Sequence, residues 1–161
     1  MKLVILVVED DAPVRDALVA DLAPFGAVAR IEVAESAEEA SELVADLGRD
    51  ERLALVLADH RLPGRSGVDF LVGLSGSMAD PAVRKVLVTG QADHADTIRA
   101  VNDAGLDHYI AKPWDPDDLA TVVRDLLSRW VADQVDDVLP YLAHLDSEIL
   151  LPAVRRHIDP D

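Results

Sequence analysis

The chain contains no cysteine. Disulfides, thiolate metal centres and thiol catalysis are therefore excluded. Basic residues are scarce: 15 Lys and Arg stand against 31 Asp and Glu, a formal net charge of −16. Docking onto nucleic-acid phosphates needs a basic face, so the charge argues against that class of partner. An anionic membrane surface is disfavoured for the same reason. No apolar run is long enough to span a bilayer, and Met1–Val8 lacks a signal-peptide cleavage pattern. These absences predict a soluble, cytoplasmic chain. Internal repeats and low-complexity segments are also missing. What is present is a chain of 161 residues, half of them hydrophobic. That predicts one ordinary domain with an appendage, able to bury a core without covalent staples.

The rest of the chain is organised around Leu53–Gly67. Leu53 to Ala58 is unbroken apolar sequence running into Asp59, and a turn containing Pro63 and Gly64 follows. Such a run reads as a strand buried on both faces. Leu3–Val8 is a similar strand ending in Glu9-Asp10-Asp11. Val83–Val88 is another, ending in Thr89-Gly90, and Asp107–Ala111 is a short last strand ending in Lys112-Pro113. Ala27–Val33 alternates and predicts a half-exposed edge strand. Helical spacing links these strands. Pro13 starts the first helix and Gly26 closes it. Ser36 and Glu39 form a capping box before the second. A short third helix carries Val68, Leu71 and Leu74 and ends loosely through Gly73, Ser75, Gly76 and Ser77. Asp93–Ala104 is a fourth, with a thin apolar stripe of Ile98, Val101 and Ala104. Asp115 caps a fifth, with Leu119, Val122, Val123, Leu126, Leu127 and Trp130 on its core face. The alternation predicts an α/β domain with a mainly parallel sheet and helices on both faces.

A parallel sheet puts all carboxyl-terminal strand ends on one rim, where open α/β sheets place their ligands. Glu9, Asp10 and Asp59 would meet there with Thr89 and Lys112. Three adjacent carboxylates repel, and a divalent cation relieves that repulsion. With neither cysteine nor clustered histidine the ligands are hard oxygens, which points to Mg²⁺. An ammonium and a hydroxyl suit a phosphoryl group, and Gly90 would leave space beside that hydroxyl. Asp59 is then the natural nucleophile. The residues alone thus reach Mg²⁺-assisted phosphoryl transfer onto a carboxylate.

Val7-Val8-Glu9-Asp10, Asp59 with Pro63 and Gly67, Val88-Thr89-Gly90, and Tyr109-Ile110-Ala111-Lys112-Pro113-Trp114 together resemble a two-component response-regulator receiver domain. The resemblance runs from Met1 to about Trp130. It implies a doubly wound, five-stranded flavodoxin-like sheet of order 2-1-3-4-5, an order for which the chemotaxis receiver is the standing example. It implies Asp59 as phosphoacceptor, with Thr89 and Lys112 holding the phosphoryl group. It implies Mg²⁺ held by Asp10, by Glu9 through water, by Asp59 and by the backbone carbonyl of Arg61. It implies a cis Lys112–Pro113 bond. Thr89 and Tyr109 would be the switch pair, with transmission through the fourth helix, fifth strand and fifth helix. The implied partners are a sensor histidine kinase or phosphotransfer protein upstream and a protein downstream. A receiver transfers phosphate to itself and hydrolyses it slowly, and is not a conventional turnover enzyme.

Plainer roles stand beside these. Asp11 reads as a helix-start acid. Trp114 and Trp130 read as packing residues. His60, His94, His108, His144 and His157 are scattered, and none is expected to bind metal or relay phosphate. His60 and Arg61 follow the acceptor and are placed to tune access of water. The expected organisation is a receiver over 1–130 and a helical extension over 131–161. Val131, Val135, Val138, Leu142, Leu145 and Ile149 form a heptad-like seam that Pro140 interrupts. The extension either folds back on its own domain or makes a dimer or partner contact. A homodimer would use the fourth and fifth helices or this tail. Two other functions remain open at this stage, a phosphate-independent receiver-like interaction module and a metal-dependent phosphatase.

Overall fold

A computed structural model describes residues 1–75, 82–90 and 94–158; the side chains of 94, 157 and 158 are outside the description. The strands are β1 (Lys2–Val8), β2 (Ala29–Ala34), β3 (Glu51–Ala58), β4 (Arg84–Thr89) and β5 (His108–Ala111). All pair in parallel, in the order β2-β1-β3-β4-β5. β1, β3 and β4 are buried almost throughout, whereas edge strands β2 and β5 are mixed. The unbroken apolar runs therefore occupy the centre, where both faces are covered.

The helices are α1 (Ala12–Leu22), α2 (Ala37–Ala45), α3 (Gly67–Gly73), α4 (His94–Asp103), α5 (Pro116–Gln134) and α6 (Ser147–Ile158). Alternate strand residues feed two cores. Ile5, Val7, Leu55, Leu57, Val86 and Val88 pack with α1, α5 and α6. Val4, Leu6, Val8, Val56 and Leu87 pack with α2, α3 and α4. Three helix starts follow the sequence. Pro13 lies in the first turn of α1, Ser36 Oγ accepts from Glu39 N, and Asp115 accepts from the amides of Asp117 and Asp118. The capping box is not closed reciprocally: the Glu39 carboxylate accepts from Glu35 N, one residue before the cap.

Three expectations are corrected. α1 ends at Leu22, and a 3-10 turn over Ala23–Ala27 carries the chain past Gly26. Pro24 accounts for this, since it cannot donate to an α-helical ladder. On α4 two of the three expected stripe residues face outward: Ile98 and Val101 are each 53% exposed, while Ala104 is buried as expected and Ala100 is buried with it. The seam after Trp130 breaks as expected, but earlier than Pro140. α5 stops at Gln134, Val135 is extended, a 3-10 turn spans Leu139–Tyr141, and α6 follows. Val138, Leu145, Leu150 and Ala153 are buried in the α5 core, and Asp146 N donates to Ser128 Oγ at 2.9 Å. The extension thus folds back on its own domain. Gly76, Ser77 and Asp93 lie outside the described residues. Among the described residues no helix is long and apolar enough to cross a membrane.

Candidate functional site

β1 and β3 are neighbours in register, Val8 opposite Ala58. Their ladder continues one step past the strands, since Asp59 N donates to Val8 O, and the β1–β2 ladder does the same through Glu9 N to Ala34 O. Glu9 and Asp59 are thereby fixed side by side and are only 1% and 7% exposed. Asp10 follows on the solvent side. One carboxylate oxygen from each of the three lies within 4.8 Å of the others. Asp59 Oδ1 is buried with no hydrogen-bond partner. A buried carboxylate oxygen without a donor is costly. Three hard oxygens around it fit Mg²⁺.

β5 delivers Lys112 from the far side. Its Nζ donates to Glu9 Oε2 at 2.9 Å and to Asp59 Oδ2 at 3.1 Å. The Lys112–Pro113 peptide is cis, as expected. Burial pushes the Glu9 carboxyl above the ordinary range. The Lys112 bond opposes that shift and the Asp59 charge adds to it. Burial works to lower the Lys112 ammonium, but its bonds to Glu9 and Asp59 and their charges raise it overall. Thr89, 1% exposed, ends β4 on the same rim, and Tyr109 Oη donates to its carbonyl at 3.1 Å. Arg61 is exposed in the turn after Asp59. A Cβ on Gly90 would meet Lys112 Cβ at an ordinary 3.7 Å, so sterics do not demand that glycine.

Three supports carry no signal in residue type alone. A Cβ on Gly67 would lie 1.8 Å from the Asp59 carbonyl oxygen, and Gly67 N donates to His60 O. The start of α3 therefore presses directly on the Asp59 backbone, which only glycine permits. Arg15, one turn into α1, donates to the Glu9 carbonyl at 3.1 Å and pairs with Glu35 at 3.4 Å. His60 Nε2 lies 3.0 Å from Asp96 Oδ2 on α4. Each is a backbone or cross-element contact. The motif spacing of Gly67 was the one legible hint.

An apolar groove of about 500 Å³ adjoins Lys112, lined by Pro13, Val14, Ala17, Pro113, Trp114 and Pro116. Trp114 Nε1 donates to Asp21 Oδ2 across its floor. A smaller cavity of about 280 Å³ lies over β5 and α5, beside Tyr109 and Val122.

The comparisons with known proteins agree with this rim. The chain is 35% identical over 120 residues to the hydrogenase transcriptional regulatory protein HoxA of Cupriavidus necator, covering 74% of this chain and 23% of that protein. The chain thus spans about a quarter of that relative's length. The response regulator receiver domain protein of Methanospirillum hungatei superposes with a TM-score of 0.72 at 28% identity, over 83% of this chain and 99% of the other. The receiver domain of sensor histidine kinase PA1611 from Pseudomonas aeruginosa, which holds a magnesium ion in its active-site cleft, shares the fold. Its TM-score is 0.65 at 22% identity, over 79% of this chain and 98% of that one. Residues 5–124 match the response regulator receiver domain family. With its phosphorylatable aspartate set in an acidic, magnesium-fitting cluster, the chain belongs to that family, a signalling module rather than a conventional turnover enzyme.

Proposed function

We propose that Asp59 accepts a phosphoryl group from a histidine kinase or phosphotransfer protein, and that the phosphorylated rim signals through protein contact. The observation that carries this reading is the state of Asp59 itself. One oxygen is held by the Lys112 ammonium and the other is buried without a donor. An Asp59 oxygen would attack phosphorus as the bond to the donor nitrogen breaks, and that nitrogen leaves with the electron pair. Lys112 would neutralise one phosphoryl oxygen and the Thr89 hydroxyl would donate to another. Glu9, Asp10, Asp59 and the Arg61 carbonyl would hold Mg²⁺. When bound, Mg²⁺ neutralises charge between the carboxylates and the incoming phosphoryl group. The apolar groove beside Lys112 suits an amphipathic helix carrying the donor histidine. A Thr89 that turns toward the phosphoryl group would pull on its own backbone, whose carbonyl holds the Tyr109 hydroxyl. That favours Tyr109 as the switch partner and α4, β5 and α5 as the output face.

We place the receiver at 1–130 and its extension at 131–161, in a cytoplasmic chain. The retained acid cluster argues against a phosphate-independent module. The buried tail argues against a tail-mediated dimer and leaves α4 and α5 as the surface for one. Intact mass after incubation with Mg²⁺ and a small acyl phosphate tests the reading. One added phosphoryl group is expected in the wild type and none in Asp59→Ala. An adduct in both would move the acceptor elsewhere. No adduct in either, with Mg²⁺ binding confirmed, would leave a receiver that takes phosphate only from its kinase, or the phosphate-independent module. Transfer from a phosphorylated histidine kinase separates the two, since the module would take none.

A further inference from the structure

α4 is held to the domain differently from every other long helix. Among the described side chains only Ala100 within it and Ala104 just past its end are buried in the core, and both are small. Ile98 and Val101 face outward. Two alanines bury too little apolar area to fix a ten-residue helix. What α4 has instead is polar attachment: Ser75 Oγ donates to Ala104 O at 2.8 Å just past its end, and two side-chain contacts hold its body. Near its start, His60 Nε2 lies 3.0 Å from Asp96 Oδ2. In its middle, Arg99 Nη1 lies 2.5 Å from Asp69 Oδ1 on α3. The same bond, with the Ser66 hydrogen bond, holds Asp69 below the ordinary carboxylate range.

Both anchors belong to the segment that follows the acceptor. His60 is the next residue after Asp59, and its carbonyl is pinned by Gly67 N. Asp69 lies in the first turn of α3, whose Gly67 abuts the Asp59 backbone. The His60 ring is mostly buried, and its Nδ1 has no partner. An Nε2–H donor toward Asp96 satisfies this geometry.

We infer that His60–Asp96 and Asp69–Arg99 form a two-point polar latch that fastens α4 to the backbone on either side of the acceptor turn. His60 is thereby a positioning residue for the output helix, and a displacement of the Asp59 loop reaches α4 without passing through Thr89. The consequence for signalling rests on the phosphoacceptor reading, but the latch itself does not.

Amide hydrogen exchange on the full, unphosphorylated chain tests it. His60→Ala and Asp69→Ala are each expected to lose protection in α4 by about threefold to tenfold, the range for one part-exposed hydrogen bond. Protection of α1 and α5 should stay within about twofold. His60→Gln, which returns a donor at similar reach, is expected to recover most of the loss. Unchanged α4 protection in both alanine variants would overturn the latch. So would a loss spread evenly over all helices, or a failure of His60→Gln to recover any protection. Because no phosphate is present, such a failure leaves the Asp59 assignment standing, and a missing phosphoryl adduct would leave the latch standing.

Discussion

At the scale of single residues the site is a balance between charge and burial. Glu9 is almost wholly buried, and its carboxyl titrates above the ordinary value of 4.5 chiefly because of that burial. Between the two values the folded state holds more protons than the unfolded one, so the Glu9 contribution to stability falls as pH rises through that window. Glu9→Gln should therefore raise the melting temperature in metal-free buffer at neutral pH, by a few degrees, and should abolish the further rise that Mg²⁺ gives the wild type. Thermal scans with and without Mg²⁺ read both effects. Gly67 pulls the other way. A Cβ there cannot coexist with the Asp59 carbonyl, so Gly67→Ala should cost about 2–4 kcal/mol in urea unfolding and impair phosphorylation together. The reactive groups were legible in the sequence because strand ends converge and few side chains do phosphoryl chemistry. Gly67's steric role, Arg15's hold on Glu9 and the His60 contact were not, because each depends on how close two backbones come, which residue type does not encode.

At the scale of elements, apolar periodicity located the helices well and their faces unevenly. The stripe on α5 was clean, and Leu119, Val123, Leu126, Leu127 and Trp130 are buried as the spacing requires. On α4 the larger apolar residues face out while Ala100 and Ala104 face in, because polar ties orient that helix more than hydrophobic burial does. The tail shows a third outcome. Its heptad spacing is real in the sequence, but Pro140 and the extended Val135 break the helix; the buried members Val131, Val138 and Leu145 lie on α5 and the connection after it, and α6 packs against α5 through Leu150 and Ala153. Leu150 is fully buried in that contact. Leu150→Ala should cost about 2–4 kcal/mol, seen as a lower urea midpoint with little change in slope. A tail that floated free would show almost no effect.

At the scale of the whole molecule, the formal charge of −16 is spread over a small domain. Self-repulsion of that size destabilises the compact state and is screened by salt. The melting temperature should climb between about 0.05 and 0.5 M NaCl, reaching a plateau as the screening length falls below the spacing of surface charges. The sheet order was legible only through family resemblance, since periodicity marks strands but does not say which neighbour each one takes. Once the order is fixed, the chain's two tryptophans are sorted to opposite ends of α5. Trp114 sits two residues past Lys112, half-buried and bonded to Asp21, between the cavity beside Lys112 and the cavity beside Tyr109. Trp130 is fully buried beneath the returning tail, with the Arg52 guanidinium 5.0 Å from its ring. The molecule therefore carries two native optical probes that answer different questions. The emission of Trp114 should follow occupancy of the acidic rim, while the blue-shifted emission of Trp130 should change only when the tail lifts, so one spectrum can be unmixed into ligation and unfolding without attaching a dye.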